Sequence, residues 1–166
     1  MVRNKNIYKK FFFKKKVLIT GHTGFKGSWL ALWMHSLGAK VLGISNEFPS
    51  KPSHSELIGL NNIIKSKKVD IRNHSLLKKV IKNYDPDFIF HLAAQAIVKK
   101  SYSDSLNTWK TNLIGTVNIL ESLKDLSIMK KKETIIILIT SDKVYKNIET
   151  SRGYHENDII GGIDPY

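Results

Sequence analysis

Cysteine is absent from this 166-residue chain, which excludes a disulfide framework and thiolate chemistry and leaves no direct mark of redox compartment. Arginine is nearly absent too: only Arg3, Arg72 and Arg152 occur among 27 basic residues. Readout of bases and phosphates usually recruits arginine for its bidentate fork, so a net charge of +13 reads first as a solvated, lysine-rich surface. No apolar run approaches the roughly 18 residues that a membrane span needs. Phe11-Phe12-Phe13 is too short for a signal-peptide core and ends in lysines, not in a small-residue cleavage site. Acids are missing from the first sixteen residues, which hold seven basic ones; the remainder carries twenty basic against fourteen acidic residues. Residues 1–16 therefore read as a basic tail. A nucleic-acid or membrane-surface role for that tail stays as an alternative, and the expectation is a cytoplasmic protein with neither partner.

What is present is most informative at Val17-Leu-Ile-Thr-Gly21-His-Thr-Gly24-Phe-Lys-Gly27, followed by Ser28-Trp-Leu-Ala-Leu-Trp-Met34. A run of strand formers breaks into three glycines spaced three apart, then takes up helical periodicity. Each glycine has a task if a dinucleotide binds: a tight turn at Gly21, approach of backbone to pyrophosphate at Gly24, close helix–strand packing at Gly27. The helix N-terminus then offers unpaired N–H groups and partial positive charge to the phosphates. The same glycines also suit a plain strand-to-helix turn.

The alternation continues along the chain. A helix over about 26–37 stops at Gly38, and Lys40–Ser45 is the second strand. A third strand ends near Val69–Ile71, and Asn73 caps a helix through about Asn83. Asp87–Ala94 reads as a buried fourth strand, a long helix covers about 106–126, and Thr134–Ser141 is the fifth strand. This pattern predicts an α/β fold, a doubly wound parallel sheet of Rossmann type ending after about five strands, with ligands at the carboxyl ends of the strands. Chemistry should collect after strands four and five. There His91-Leu92-Ala93-Ala94-Gln95 offers small residues against which a cofactor could lie, His91 reading as a core histidine. Thr140-Ser141-Asp142-Lys143-Val144-Tyr145 sets a hydroxyl, a carboxylate and an ammonium in succession, or forms a polar turn.

These segments, with Ser101-Tyr102, Thr111-Asn-Leu-Ile-Gly-Thr116, Gly153-Tyr-His-Glu-Asn-Asp158 and Gly161-Gly-Ile-Asp-Pro-Tyr166, resemble in order and spacing the extended short-chain dehydrogenase/reductases that modify nucleotide sugars. They are most similar to the 4,6-dehydratase branch acting on CDP-glucose, the discriminating piece being Asp142-Lys143 where related dehydratases usually carry Asp-Glu. Ser105 and Ile159 depart from prolines common in the family. The resemblance implies that residues 17–166 form an incomplete NAD-binding domain of Rossmann type, with NAD bound, CDP-glucose as substrate, a homo-oligomer and no metal site. Its implied cofactor contacts are Gly21, Thr23, Gly24, Phe25, Lys26, Gly27, Asp70, Ile71, Leu92, Ala93, Ala94, Asn112 and Thr140, with Gln95 and Tyr102 on the substrate.

For catalysis the resemblance implies Tyr166 and Ser141 at the C4 hydroxyl, Asp142 as acid for the C6 hydroxyl and Lys143 as base for the C5 proton. A lysine base requires a pKa lowered toward neutrality by burial or nearby cations. Ser45-Asn46 ends strand two where an acidic residue commonly reads the ribose of NAD. The family's Tyr-x-x-x-Lys motif starts at Tyr166, so the expectation is the N-terminal portion of such an enzyme, inactive alone, with the apolar stripe Trp109, Leu113, Val117 and Leu120 uncovered. Another nucleotide-sugar dehydratase or epimerase, or a non-catalytic dinucleotide-binding module, are the alternatives.

Overall fold

Val17, Leu18 and Ile19 alternate between two apolar layers, and that alternation builds the domain. In the computed structural model, which describes residues 2–130 and 133–166, Lys16–Thr20 forms β1 at the centre of a five-stranded parallel sheet. Its partners are β2 (Lys40–Ser45) and β4 (Phe88–His91); β3 (Lys65–Lys68) and β5 (Ile135–Leu138) are the edges. The order β3-β2-β1-β4-β5 is that of a doubly wound sheet, and it puts the ends of β1 and β4 side by side where the strand order reverses. On one face Leu18 packs with Leu42, Ile44 and Ile89 against α5 (His74–Tyr84) and α8 (Gly115–Lys130). On the other, Val17, Ile19 and Val41 meet Ala31 and Met34 of α2 (Phe25–Ser36) and Leu60 of α4 (Leu60–Ile63), which follows the short α3 (His54–Leu57).

Local signals place the ends of these elements. Asn73 caps α5 by accepting from the Leu76 N–H at 3.0 Å, and Asp85 ends it in the left-handed region. Gly38, with φ +82°, ends the turn after α2 as expected. β3 is Lys-Ser-Lys-Lys and exposed throughout, a charged edge that discourages pairing with other chains; it stops at Lys68, short of the expected Val69–Ile71. The helix expected over 106–126 is three pieces: α7 (Ser105–Trp109), a π-helical turn (Lys110–Ile114) and α8, preceded by an unforeseen α6 (Val98–Ser103). Trp109, Leu113, Val117 and Leu120 are exposed along it.

The stretch read as a basic tail requires correction. It is helical over Val2–Phe12 (α1), and Lys16 already belongs to β1. Positions 8, 11 and 12 share one helix face, and all three are aromatic. Phe11 and Phe12 meet the Phe88 ring at 5.4 and 5.1 Å, Tyr8 meets Trp33 at 5.9 Å, and the Phe13 ring lies where a Cβ on Gly38 would be. The phenylalanine run thus closes the amino-terminal end of the sheet. Phe12→Ala is expected to cost about 2–4 kcal/mol in a urea melt; a loss below about 0.5 kcal/mol, the range of exposed surface changes, would show that α1 only decorates the fold.

Candidate functional site

The glycine loop joins β1 to α2. Gly21 has φ +73°, and an added Cβ there would lie 2.8 Å from the Ala93 nitrogen; at Gly27 it would lie 2.2 Å from the Gly21 carbonyl oxygen. Packing alone demands glycine at both. Gly24 differs: its φ is −72°, and an added Cβ would meet one atom, the Gly21 oxygen at 3.2 Å. Beyond that contact the missing side chain faces open space over the start of α2. No side chain caps α2, so its first N–H groups stay available to an anion. A cradle that a Cβ would fill, set before uncapped helix donors, fits the pyrophosphate of NAD. Gly24, Phe25 and Lys26 would form its floor.

Where β1 and β4 end together, a buried relay fixes the opposite wall. Thr20 Oγ1 accepts from the Leu92 and Ala93 N–H groups at 3.1 and 3.0 Å, so its own proton goes to His91 Nδ1 at 2.7 Å. His91 Nε2–H donates to Thr116 Oγ1 at 3.0 Å, and Thr116 donates to the Asn112 carbonyl at 2.6 Å. Every polar hydrogen is used, and the imidazole is neutral; burial pushes its pKa down to about 4. His91 is a structural histidine, and it sets the path of Leu92-Ala93-Ala94 past the glycine loop.

The next loop is held by Asn112 in the π turn. Its side chain accepts from the Gln95 N–H at 2.8 Å and donates to the Gln95 carbonyl at 3.2 Å. The Gln95 amide turns inward, accepting from Ile97 N–H at 2.8 Å and donating to Thr108 Oγ1 at 3.1 Å. In this structure Gln95 organises its loop and Asn112 pins it, whereas Tyr102 is exposed. π turns recur at functional sites because the extra residue redirects one side chain.

At the other side of the crevice, Asp70 forms a fork with Arg72 (Nε–Oδ1 2.9 Å, Nη2–Oδ2 2.5 Å), and Arg72 reaches Asn107 Oδ1 at 2.5 Å. The guanidinium holds the Asp70 carboxyl below the usual carboxylate range. Ile71 packs on Gly115, where an added Cβ would sit 2.5 Å from Ile71 Cδ1. Thr23 Oγ1 meets Ser45 Oγ at 2.6 Å and the Glu47 carbonyl at 2.6 Å, tying the glycine loop to the end of β2. Glu47, two residues beyond the strand, lines a cavity of about 420 Å³ with His22, Thr23 and Ser45. Ser45 ends β2, and Glu47 is the first carboxylate beyond it. His22 is buried, with Nε2 2.5 Å from Ser66 Oγ, and burial lowers its pKa.

Thr140, Ser141, Asp142 and Lys143 follow β5, so the sheet delivers them to the same end as the glycine loop. Ser141 Oγ caps a single 3-10 turn over Asp142–Val144, accepting from Lys143 N–H at 3.2 Å and donating to Asp142 Oδ1 at 3.3 Å. The Asp142 and Lys143 side chains face solvent. Tyr166 is half-buried, its N–H donating to Asp164 Oδ1 at 2.9 Å. Among the described residues no hydrogen bond joins Tyr166 to Ser141, Asp142 or Lys143. Ser141, Asp142 and Lys143 share one turn, and the segment leading to Tyr166 runs back beside it, with Gly161 N–H donating to the Val144 carbonyl at 2.9 Å.

The fold recurs in known proteins. The family model for GDP-mannose 4,6 dehydratase matches residues 18–166. The chain belongs to this family. It is 44% identical over 160 residues to the CDP-glucose 4,6-dehydratase of Salmonella typhimurium, covering 96% of this chain and 44% of that protein. A probable dTDP-glucose 4,6-dehydratase of Sinorhizobium fredii is 26% identical, over 91% of this chain and 45% of its own length. Among solved structures, an epimerase from Methanothermobacter thermautotrophicus superposes with a TM-score of 0.80 at 25% identity, over 98% of this chain and 46% of its own. A Thermus thermophilus UDP-glucose 4-epimerase in complex with NAD gives 0.76 at 24% identity, over 91% and 46%. The family member described here thus spans less than half the length of these relatives, and the shared part is the doubly wound sheet.

Proposed function

We propose that this chain is the dinucleotide-binding part of a CDP-glucose 4,6-dehydratase, with NAD as its cofactor. The observation that carries the reading is the 44% identity to such an enzyme across 96% of the chain, and the cradle at Gly24 supports the cofactor. NAD, when bound, would supply the oxidising and reducing ends of one cycle. Tyr166, aided by Ser141, would take the C4 hydroxyl proton as that carbon becomes a ketone. The ketone acidifies the hydrogen at C5. Lys143 would then take the C5 proton while Asp142 gives one to the departing C6 hydroxyl, so water leaves across C5 and C6; delivery of the hydride taken from C4 to C6 and return of the proton from Lys143 to C5 leave the 4-keto-6-deoxy sugar. The Ser141 cap, which holds Asp142 and Lys143 on one short turn after β5, supports pairing them in these roles.

The test is a chain extended to the length of its relatives, incubated with CDP-glucose, dTDP-glucose and GDP-mannose. CDP-glucose should be turned over with the highest kcat/KM, and Lys143→Ala should lower kcat by at least about tenfold, as loss of a general base does. Preference for another nucleotide would move the protein to a different branch of the family. Activity within tenfold in the variant would remove Lys143 as base.

A further inference from the structure

The segment between the 3-10 turn and Tyr166 takes its path without an apolar core. Ile159, Ile160 and Ile163 are at least 70% exposed, so burial contributes little to holding it. Polar contacts do so instead. Asp158 is their centre: its carboxylate accepts from Arg152 Nη1 and Nη2 at 2.7 Å each and from the His155 N–H at 2.9 Å. Its side chain is 12% exposed, whereas Glu149 and Glu156 on the same loop face solvent. The Arg152 fork and the His155 N–H hold the Asp158 carboxyl well below the usual carboxylate range. Within the loop Tyr145 stacks on Tyr154, the rings 5.1 Å apart and 3° from parallel, and Tyr154 Oη donates to Asn147 Oδ1 at 3.2 Å. Closing the loop has its effect at the base. Tyr145 and Ile160 form an antiparallel bridge, with Lys146 N–H donating to the Ile159 carbonyl and Gly161 N–H to the Val144 carbonyl, both at 2.9 Å. Gly162 then passes over the turn itself, where an added Cβ would lie 3.3 Å from the Lys143 carbonyl oxygen. Asp158 stands directly before the first of these contacts, and Tyr166 follows shortly after the last, with Pro165 restricting the backbone between them.

Resting on the dehydratase reading above, we propose that the Arg152–Asp158 clasp positions Tyr166 against the turn that carries Ser141, Asp142 and Lys143, which makes Arg152 and Asp158 positioning residues for the oxidation at C4. Neither has to touch the sugar. The clasp fixes the returning segment, that segment sets Gly162 on the Lys143 carbonyl, and the tyrosine follows from there. An error of about 1 Å in such placement costs up to about a hundredfold in rate, whereas an ion pair on a surface loop contributes little to global stability. Breaking the clasp therefore slows the reaction in a protein that stays folded.

Amide hydrogen exchange on the chain itself reads the geometry without turnover. Asp158→Asn and Arg152→Gln should each speed exchange at Lys146 and Gly161 by at least about tenfold, and leave Leu18 and Ile89 in the sheet within about twofold. In a chain extended to the length of its relatives, both changes should lower kcat on CDP-glucose by at least about tenfold, with KM within about threefold and with NAD stoichiometry and the urea midpoint unchanged. Combined with Tyr166→Phe, the Asp158 change should lower kcat by less than about twofold further, because it acts through that side chain. Wild-type kcat in both single variants overturns the proposal. So does a fall in kcat matched by an equal loss of NAD binding or by a lower urea midpoint, and so does unchanged exchange at Lys146 and Gly161. A wild-type extended chain that does not turn over CDP-glucose removes the dehydratase reading and this one with it, whereas an active wild type with indifferent variants removes the clasp alone.

Discussion

Replacing Gly24 by valine is expected to lower dinucleotide affinity by about a hundredfold or more, roughly 3 kcal/mol, while the domain loses only about 1 kcal/mol of stability, the usual difference at a helix cap. The asymmetry follows from what each missing Cβ meets. At Gly24 that is one carbonyl oxygen at 3.2 Å and otherwise the space over α2. Valine there occupies the approach of the phosphates without strain from positive φ. Gly27→Val is the control in the opposite direction: its Cβ falls 2.2 Å from the Gly21 carbonyl oxygen, which forces helix and loop apart and costs on the order of 4 kcal/mol or more. Paired NAD titrations and urea melts separate the two. Unchanged NAD affinity in Gly24→Val would show that the loop is a turn and nothing else.

Lowering the pH from about 6.5 to 4 is expected to remove about 3 kcal/mol of stability through His91 alone. In the folded protein the His91 pKa is pushed down to about 4 by burial; in the unfolded chain it returns to about 6.5. Between those values the unfolded state binds a proton that the folded state lacks. Stability is therefore full above about 6.5, falls as pH drops toward 4, and levels off below that. Burial lowers the His22 pKa as well, which acts in the same direction. Urea melts at pH 7.5 and 4.5 should differ by about 2–3 kcal/mol more in the wild type than in His91→Asn, which does not titrate. Equal pH dependence in the two proteins would contradict the neutral relay from Thr20 through His91 to Thr116.

The parts of this fold legible in the sequence are those whose signal is local. The glycine spacing, the Asn73 cap, the Gly38 stop and the buried apolar strands all depend on neighbours within a few residues. α1 was hidden because its lysines dominate composition, while the 8, 11, 12 aromatic face gains meaning only against Phe88 and Trp33. β3 was misplaced because Lys-Ser-Lys-Lys has no strand signature; it is a strand because β2 offers its edge. At the site, the glycine tasks could be read in advance, but the His91 relay joins residues 71 positions apart. The inward turn of the Gln95 amide depends on Thr108 and Ile97. The β3 lysines come beside the end of β2 only through the pairing that sets Lys68 opposite Ser45. The roles of Ser141, Asp142, Lys143 and Tyr166 come from family resemblance. The fold adds that the first three share the turn after β5.

The most direct measurement follows an isotope. CDP-glucose carrying deuterium at C4 would be incubated with a chain extended to the length of its relatives, with a catalytic amount of NAD, and the product examined by NMR. The account predicts a 4-keto-6-deoxy sugar whose label has moved from C4 to C6, with no net consumption of NAD. Label released to solvent, label accumulating in the nicotinamide, or no turnover of CDP-glucose would contradict it.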